Sequence, residues 1–226
     1  MKWFYLILNV GTLLCPLILS FDKNVQYIKS WKNSLVSALI ISIPFIIWDI
    51  IFTENGFWGF NPDFILGIYI YHLPIEELLF FIIIPFACTF IYECCKYFFN
   101  KYSFTIFNRV FTFAIPIYAL VLTFIDDVGY YTLLSIVSSS IVLFWMMKNA
   151  HYRFIPIAFC ITLIPFFVVN GMLTGGITEN PVVWYNDAQK VDQRIFTIPM
   201  EDILYNFALL VSNMILFEKL NQRFSK

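Results

Sequence analysis

Seven stretches of almost unbroken apolar residues run through this chain, near residues 3 to 21, 34 to 53, 73 to 95, 106 to 125, 130 to 147, 154 to 173 and 198 to 218. A hydrocarbon core about 30 Å thick needs about 20 apolar residues in a helix to cross it, and each stretch approaches that length. The pattern predicts an all-α integral membrane protein of about seven transmembrane helices. The first stretch follows Lys2 as a signal peptide would, but it is long enough to span and no small-x-small cleavage site follows it. It is therefore expected to be retained. Polar residues gather in the connections, of which 54–72 and 174–197 are long and are expected to cap a cavity between the helices.

Composition agrees with this reading and narrows the partners. Of 226 residues, 60% are hydrophobic, 20% aromatic and 13% charged, against about 25% charged in ordinary soluble domains. A net charge of -1, with no Lys/Arg run interleaved with aromatics, leaves no basic field for nucleic acid. Cys15, Cys88, Cys94, Cys95 and Cys160 lie in or beside apolar segments without metal-ligand spacing and read as small core residues. Basic residues orient the spans. Lys23, Lys29, Lys32, Lys96, Lys101, Arg109, Lys148, Arg153, Lys219, Arg223 and Lys226 fall on one side of a seven-span layout, and Lys2, Lys190 and Arg194 on the other. The basic side is expected to be cytoplasmic, with the N-terminus outside and the C-terminus inside the cytoplasmic membrane.

One phrase occurs twice. Leu73-Pro74-Ile75-Glu76-Glu77-Leu78-Leu79-Phe80-Phe81 returns as Ile198-Pro199-Met200-Glu201-Asp202-Ile203-Leu204-Tyr205-Asn206, 125 residues later. The same shift carries span one onto span five and, loosely, span two onto span six. The chain reads as two parallel three-helix repeats, 1–105 and 128–226, joined by one extra helix at 106–127. With one span between them, equivalent helices run the same way about an axis along the membrane normal, so both acid pairs lie at one depth and can share one cavity. Span two ends in Trp48-Asp49 and span six in Asn170-Gly171, and each is followed by an aromatic, polar connection containing Trp58 or Trp184-Tyr185.

Proline followed by acids is also an ordinary helix start, because the acids complement the positive end of the helix dipole. Repetition of the phrase, with Asp49 and Asn170 at equivalent span ends, favours a function, since acids inside a membrane are costly to bury. Residues four apart share a helix face, which sets Glu76 over Phe80, Glu77 over Phe81 and Glu201 over Tyr205. Trp58, Trp184 and Tyr185 are equally compatible with a role as interfacial anchors. His72, near Glu76, is a candidate proton-transfer partner; His151 belongs to the opposite side. Asp126 and Asp127 read as solvated turn residues. Asp187 and Asp192 lack a second Asp-rich motif and read as loop residues rather than magnesium ligands.

A greasy cavity with paired carboxyls and many aromatics, without a metal cluster, nucleophile elbow or Gly-x-Gly-x-x-Gly, suits proton chemistry on an alkene. Of two carboxyls in one desolvated site, one keeps its proton as acid while another serves as base. Aromatic faces can stabilise the carbocation between the two steps.

The motifs Pro74-Ile75-Glu76-Glu77 with Phe80, and Pro199-Met200-Glu201-Asp202 with Tyr205-Asn206-Phe207, resemble the paired Pro-x-Glu-Glu/Asp motifs of the heterodimer-type lycopene cyclase family. Asn170-Gly171, Leu173-Thr174-Gly175 and Pro181-Val182-Val183-Trp184-Tyr185 resemble its second half, so the likeness covers nearly the whole chain as a fused pair. The resemblance implies cyclisation of the ends of lycopene to β-ionone rings, through γ-carotene to β-carotene, as an isomerisation without net redox change. It implies Glu76 and Glu201 as principal acid/base groups and Glu77 and Asp202 as their partners, with acid and base unassigned between them. Asp49, Asn170, Phe80, Phe81, Tyr205, Trp48, Trp184 and His72 are expected to support the pocket. No cofactor and no metal are expected, since the chain has no dinucleotide fold. The implied partners are lycopene, membrane lipid and other carotenoid-pathway enzymes. A cyclase of longer carotenoids, or one forming ε or γ rings, is the nearest alternative, and a membrane proton relay or transporter the next. A retinal protein would need a lysine between Pro199 and Glu218, and none is there.

Overall fold

In a computed structural model of the chain, residues 1–148 and 152–224 are described; His151 and Lys226 lie outside the described residues. Seven helices account for the apolar stretches: α1 (Phe4–Leu19), α2 (Trp31–Glu54), α3 (Ile75–Phe98), α4 (Thr105–Ile125), α5 (Tyr130–Met147), α6 (Ile155–Leu173) and α7 (Glu201–Phe224). Six of the apolar helical stretches are long and apolar enough to cross a membrane. The seventh, α1, has 16 residues, which is about 24 Å at 1.5 Å per residue. It stops at Leu19 because Asp22 folds the chain back, its Oδ1 accepting from the backbone N–H groups of Asn24 and Val25.

α3 and α7 form the centre of the bundle. α1 and α2 pack on α3 as α5 and α6 pack on α7, and α2 reaches across to α7 as α6 reaches across to α3. The packing therefore repeats between the halves as the sequence does. α4 lies outside against α5, α6 and α7, exposing Ile106, Val110, Phe113, Ile117, Leu120 and Phe124 along one face. Such a stripe on a helix long enough to span is a lipid-facing surface.

Prolines inside α1, α2, α3, α4 and α6 remove backbone donors. Helices in lipid tolerate this where a neighbour satisfies the freed carbonyl. Pro85 frees the carbonyl of Phe81, and Ser42 Oγ on α2 donates to it at 2.6 Å. At the far end of α3, Lys96 Nζ bridges Glu93 (2.9 Å) and Glu218 of α7 (2.8 Å), which pairs charges that would be costly to bury alone.

The long connections form three small antiparallel pairs. β2 (Tyr69–Ile70) and β3 (Leu73–Pro74) make a hairpin in register Tyr69 to Pro74 and Ile70 to Leu73. β5 (Arg194–Ile195) and β6 (Ile198–Pro199) make another, Arg194 to Pro199 and Ile195 to Ile198. Every position in the second is its counterpart in the first moved by 125 residues. The third pair joins the halves: β1 (Trp58–Phe60) runs beside β4 (Val183–Tyr185).

Candidate active site

Each hairpin delivers the chain into a helix whose first turn carries two acids, and the two acids of a pair point in different directions. Glu76 and Glu201 are 0% exposed. Glu76 Oε1 accepts from the backbone N–H of Leu66 at 2.7 Å, and Glu201 Oε1 accepts from that of Val191 at 2.6 Å, ten residues back in both cases. Thr132 Oγ1 also donates to Glu201 (2.6 Å), and Asn9 Nδ2 donates to the carbonyl of Glu76 (2.8 Å). These carboxyls tie the capping loops to the helix starts. The second oxygen of each is buried without a partner among the described residues.

Glu77 and Asp202 face the other way, into one cavity of about 640 Å³ that both halves line. Asp202 receives three donors: Tyr131 Oη to Oδ1 at 2.5 Å, Asn170 Nδ2 to Oδ2 at 2.7 Å and Tyr185 Oη to Oδ2 at 3.1 Å. Glu77 receives Tyr5 Oη at 2.6 Å. Asp49, a third carboxyl lining the cavity, accepts from Trp58 Nε1 and leaves its other oxygen buried without a partner among the described residues. Burial, and then the charge of Asp202, push the Tyr185 phenol well above its ordinary range, so it remains a donor.

A two-stranded lid closes the acidic end. Side chains alternate across a strand, so Trp58, Phe60, Val183 and Tyr185 line the cavity while Gly59 and Trp184 face outward. Trp184 lies over Gly59, where a Cβ would collide with the indole. From this head the cavity runs between the helices, walled on α3 by Glu77, Phe80, Ile84, Cys88 and Ile91. That wall is about 21 Å long at 1.5 Å per residue. Tyr5, Trp58, Phe80, Tyr131, Tyr185 and Tyr205 line the chamber near the acids with aromatic rings, and away from the acids the lining is almost wholly apolar.

The family model for lycopene cyclase matches the chain over residues 2–95 and again over 129–220, taking in both hairpins, all four helix-start acids and the tyrosines beside them. The chain belongs to the lycopene cyclase family. It is a membrane-embedded carotenoid cyclase, and a lipophilic carotenoid is its substrate. No curated protein and no solved structure matches it.

The cyclase brings Glu77, Asp202, Asp49, Asn170, Phe80 and Tyr205 together around one chamber. The other expected residues lie elsewhere. Phe81 is in the core, 1% exposed. Trp48 sits behind the chamber wall, packed on Tyr205 (4.9 Å between ring centroids), Phe45, Phe52 and Tyr131. Trp184 is on the outer face of the lid, 43% exposed. The His72 side chain is 68% exposed and 3.6 Å from Glu54, away from the chamber. The facing also differs from the i,i+4 expectation: Glu77 shares its wall with Phe80, and Asp202 with Tyr205, at i,i+3.

Tyr5 and Tyr131 carry no motif that marks them in the sequence, although they are 126 residues apart and each donates to the chamber-facing acid of its own half. Asn206 also lines the chamber, with its Nδ2 buried and unpartnered among the described residues. Asp187 is taken up by Lys190 (2.7 Å) and Arg194 (3.2 Å), and Lys190 holds its carboxyl below the usual range. Among the described residues no three His, Cys, Asp or Glu side chains are grouped to hold a metal ion.

Proposed function

We propose that this cyclase closes β-ionone rings on the ends of lycopene without a cofactor, in a net isomerisation. The observation that supports this most is that Glu77 and Asp202, one from each half, both line the same largely apolar chamber. Glu77, with one donor, is assigned as the acid. Its proton passes to the terminal double bond, leaving a tertiary cation. A neighbouring double bond attacks that cation, forming the ring carbon–carbon bond and moving the charge onto the ring. Asp202, whose oxygens already accept from Tyr131, Asn170 and Tyr185, is assigned as the base that takes a ring proton and leaves the ring double bond. One proton enters and one leaves, so the pair returns to its starting state when the proton passes back from Asp202 to Glu77.

The aromatic faces of Tyr205, Phe80 and Trp58 are assigned to the cation. Asp49 and Asn170 hold the head of the chamber, and Glu76 and Glu201 hold the loops that close it. Residues 1–105 and 128–226 act as two repeats joined by 106–127, with the C-terminus cytoplasmic and the N-terminus outside the cytoplasmic membrane. Pigment chromatography of a lycopene-accumulating host expressing the chain tests this reading. β-Carotene as the end product supports it. Unchanged lycopene beside properly inserted protein rejects that substrate, and ε or γ rings reject the assigned base geometry.

A further inference from the structure

We propose that the seam between α1 and α6 is the doorway through which the carotenoid enters from the bilayer, and that the polyene not being cyclised lies in it during the reaction. This rests on the cyclase reading above and goes beyond it by assigning the route and the resting place of the chain.

The wall of the chamber is discontinuous on this side. Ile7 of α1 and Val168 of α6 both line the chamber, yet they are 58% and 52% exposed. Gly11 and Cys15 continue the same face of α1 and are also exposed. A Cβ added at Gly11 would meet nothing within 4 Å, so the helix presents bare backbone to an opening. α1 meets α6 beside the lid, where Phe4 and Tyr5 pack in one cluster with Leu173, and is otherwise held by α3, through Tyr5 to Glu77 and Asn9 to the Glu76 carbonyl. The lid blocks the acidic end, where Trp58, Phe60, Val183 and Tyr185 close over the head.

The occupant follows from chemistry and size. The seam is lined by apolar groups, Thr12 and Cys15 being its polar exceptions on α1, and Thr12 spends its hydroxyl on the Leu8 carbonyl at 2.8 Å. A cavity of about 640 Å³ is of the size that buries a drug-sized ligand. A linear carotene is larger and has two reactive ends on one stiff chain. One end fits at the acids while the remainder passes out between α1 and α6 into the hydrocarbon, where it meets no desolvation cost. The second end can reach Glu77 and Asp202 only after the molecule has withdrawn and turned, so each visit closes one ring.

The test is a size series at Gly11 in the full chain, expressed in a lycopene-accumulating host, with membrane abundance and pigments measured together. Gly11→Leu is expected to slow ring formation and Gly11→Trp to slow it at least about tenfold, within the range that misplacing a substrate by an ångström costs. Val10→Trp and Leu14→Trp put the same bulk on exposed positions of α1 that do not line the chamber, and are expected to cyclise as the unmodified chain does. Cys15→Trp provides a second obstruction should Gly11→Trp lower abundance. Normal cyclisation by both Gly11→Trp and Cys15→Trp overturns the doorway, as does equal loss in the Val10 and Leu14 controls. Unchanged lycopene with the unmodified chain instead overturns lycopene as the substrate, and the assigned occupant falls with it.

Discussion

The two halves of the cyclase are built alike and filled differently. Each has a hairpin, a proline, a buried loop-tying acid and a chamber-facing acid, repeated at 125 residues. On the α1–α6 side the chamber is open, with Phe166 and Val169 four and one positions before Asn170. On the equivalent α2–α5 side Phe45 and Trp48 stand four and one positions before Asp49, and Trp48 packs into Phe45, Phe52, Tyr131 and Tyr205. Where one half has a valine the other has an indole, and the twin of the chamber is occupied by protein. The acids diverge in the same way: Asp202 receives three donors and Glu77 one. Repetition supplied one chamber-facing carboxyl at the start of each central helix, and both line a single room.

The comparison is broken most severely at the acids. Glu77→Gln and Asp202→Asn each remove one of the groups assigned here to proton transfer, and cyclisation is expected to fall by roughly 10²–10⁴-fold at unchanged membrane abundance, read as lycopene remaining by chromatography. Tyr131→Phe takes one donor from Asp202. A hydrogen bond to a charged group contributes about 1.5–3 kcal/mol, so a loss of about tenfold or more is expected, measured as the initial rate in isolated membranes. Gly59→Ala pushes Trp184 off the lid. A smaller loss is expected there, and Trp184→Ala in the same chain should restore part of it, a recovery that a merely misfolded lid would not give. Trp48→Val gives the second side the residue of the first. Truncating a packed tryptophan costs about 3–5 kcal/mol in cores at most, so the midpoint of thermal unfolding in detergent should drop while ring formation changes least. If Trp48→Val abolished cyclisation in folded protein, the filled side would be part of the reaction after all.

Much of this was legible in sequence, for local reasons. Apolar run length fixes helices, and a repeated phrase at constant spacing implies repeated structure whatever its details, which is why both hairpins obey the 125-residue shift read from Pro74 and Pro199. Facing is not local. One residue turns a helix by about 100°, so choosing between Glu76 and Glu77 as the inward acid requires knowing how the hairpin enters α3, and that depends on the Leu66 N–H donating to Glu76. Trp184 turned outward because strand pairing with β1 set it over Gly59. Tyr5 and Tyr131 were hidden by abundance: among 13 tyrosines, nothing marks these two until the halves are aligned at their first helices.

The most direct measurement compares the four acids within one assay. Glu77→Gln, Asp202→Asn, Glu76→Gln and Glu201→Gln, at matched membrane abundance in a lycopene-accumulating host, are scored by the ratio of cyclic to linear carotene. The account predicts that the first two leave lycopene nearly untouched. The last two keep an oxygen able to accept from Leu66 or Val191 and should fall by only about tenfold or less, the order of one hydrogen bond. Cyclisation surviving in Glu77→Gln and Asp202→Asn but lost in Glu76→Gln and Glu201→Gln would contradict it.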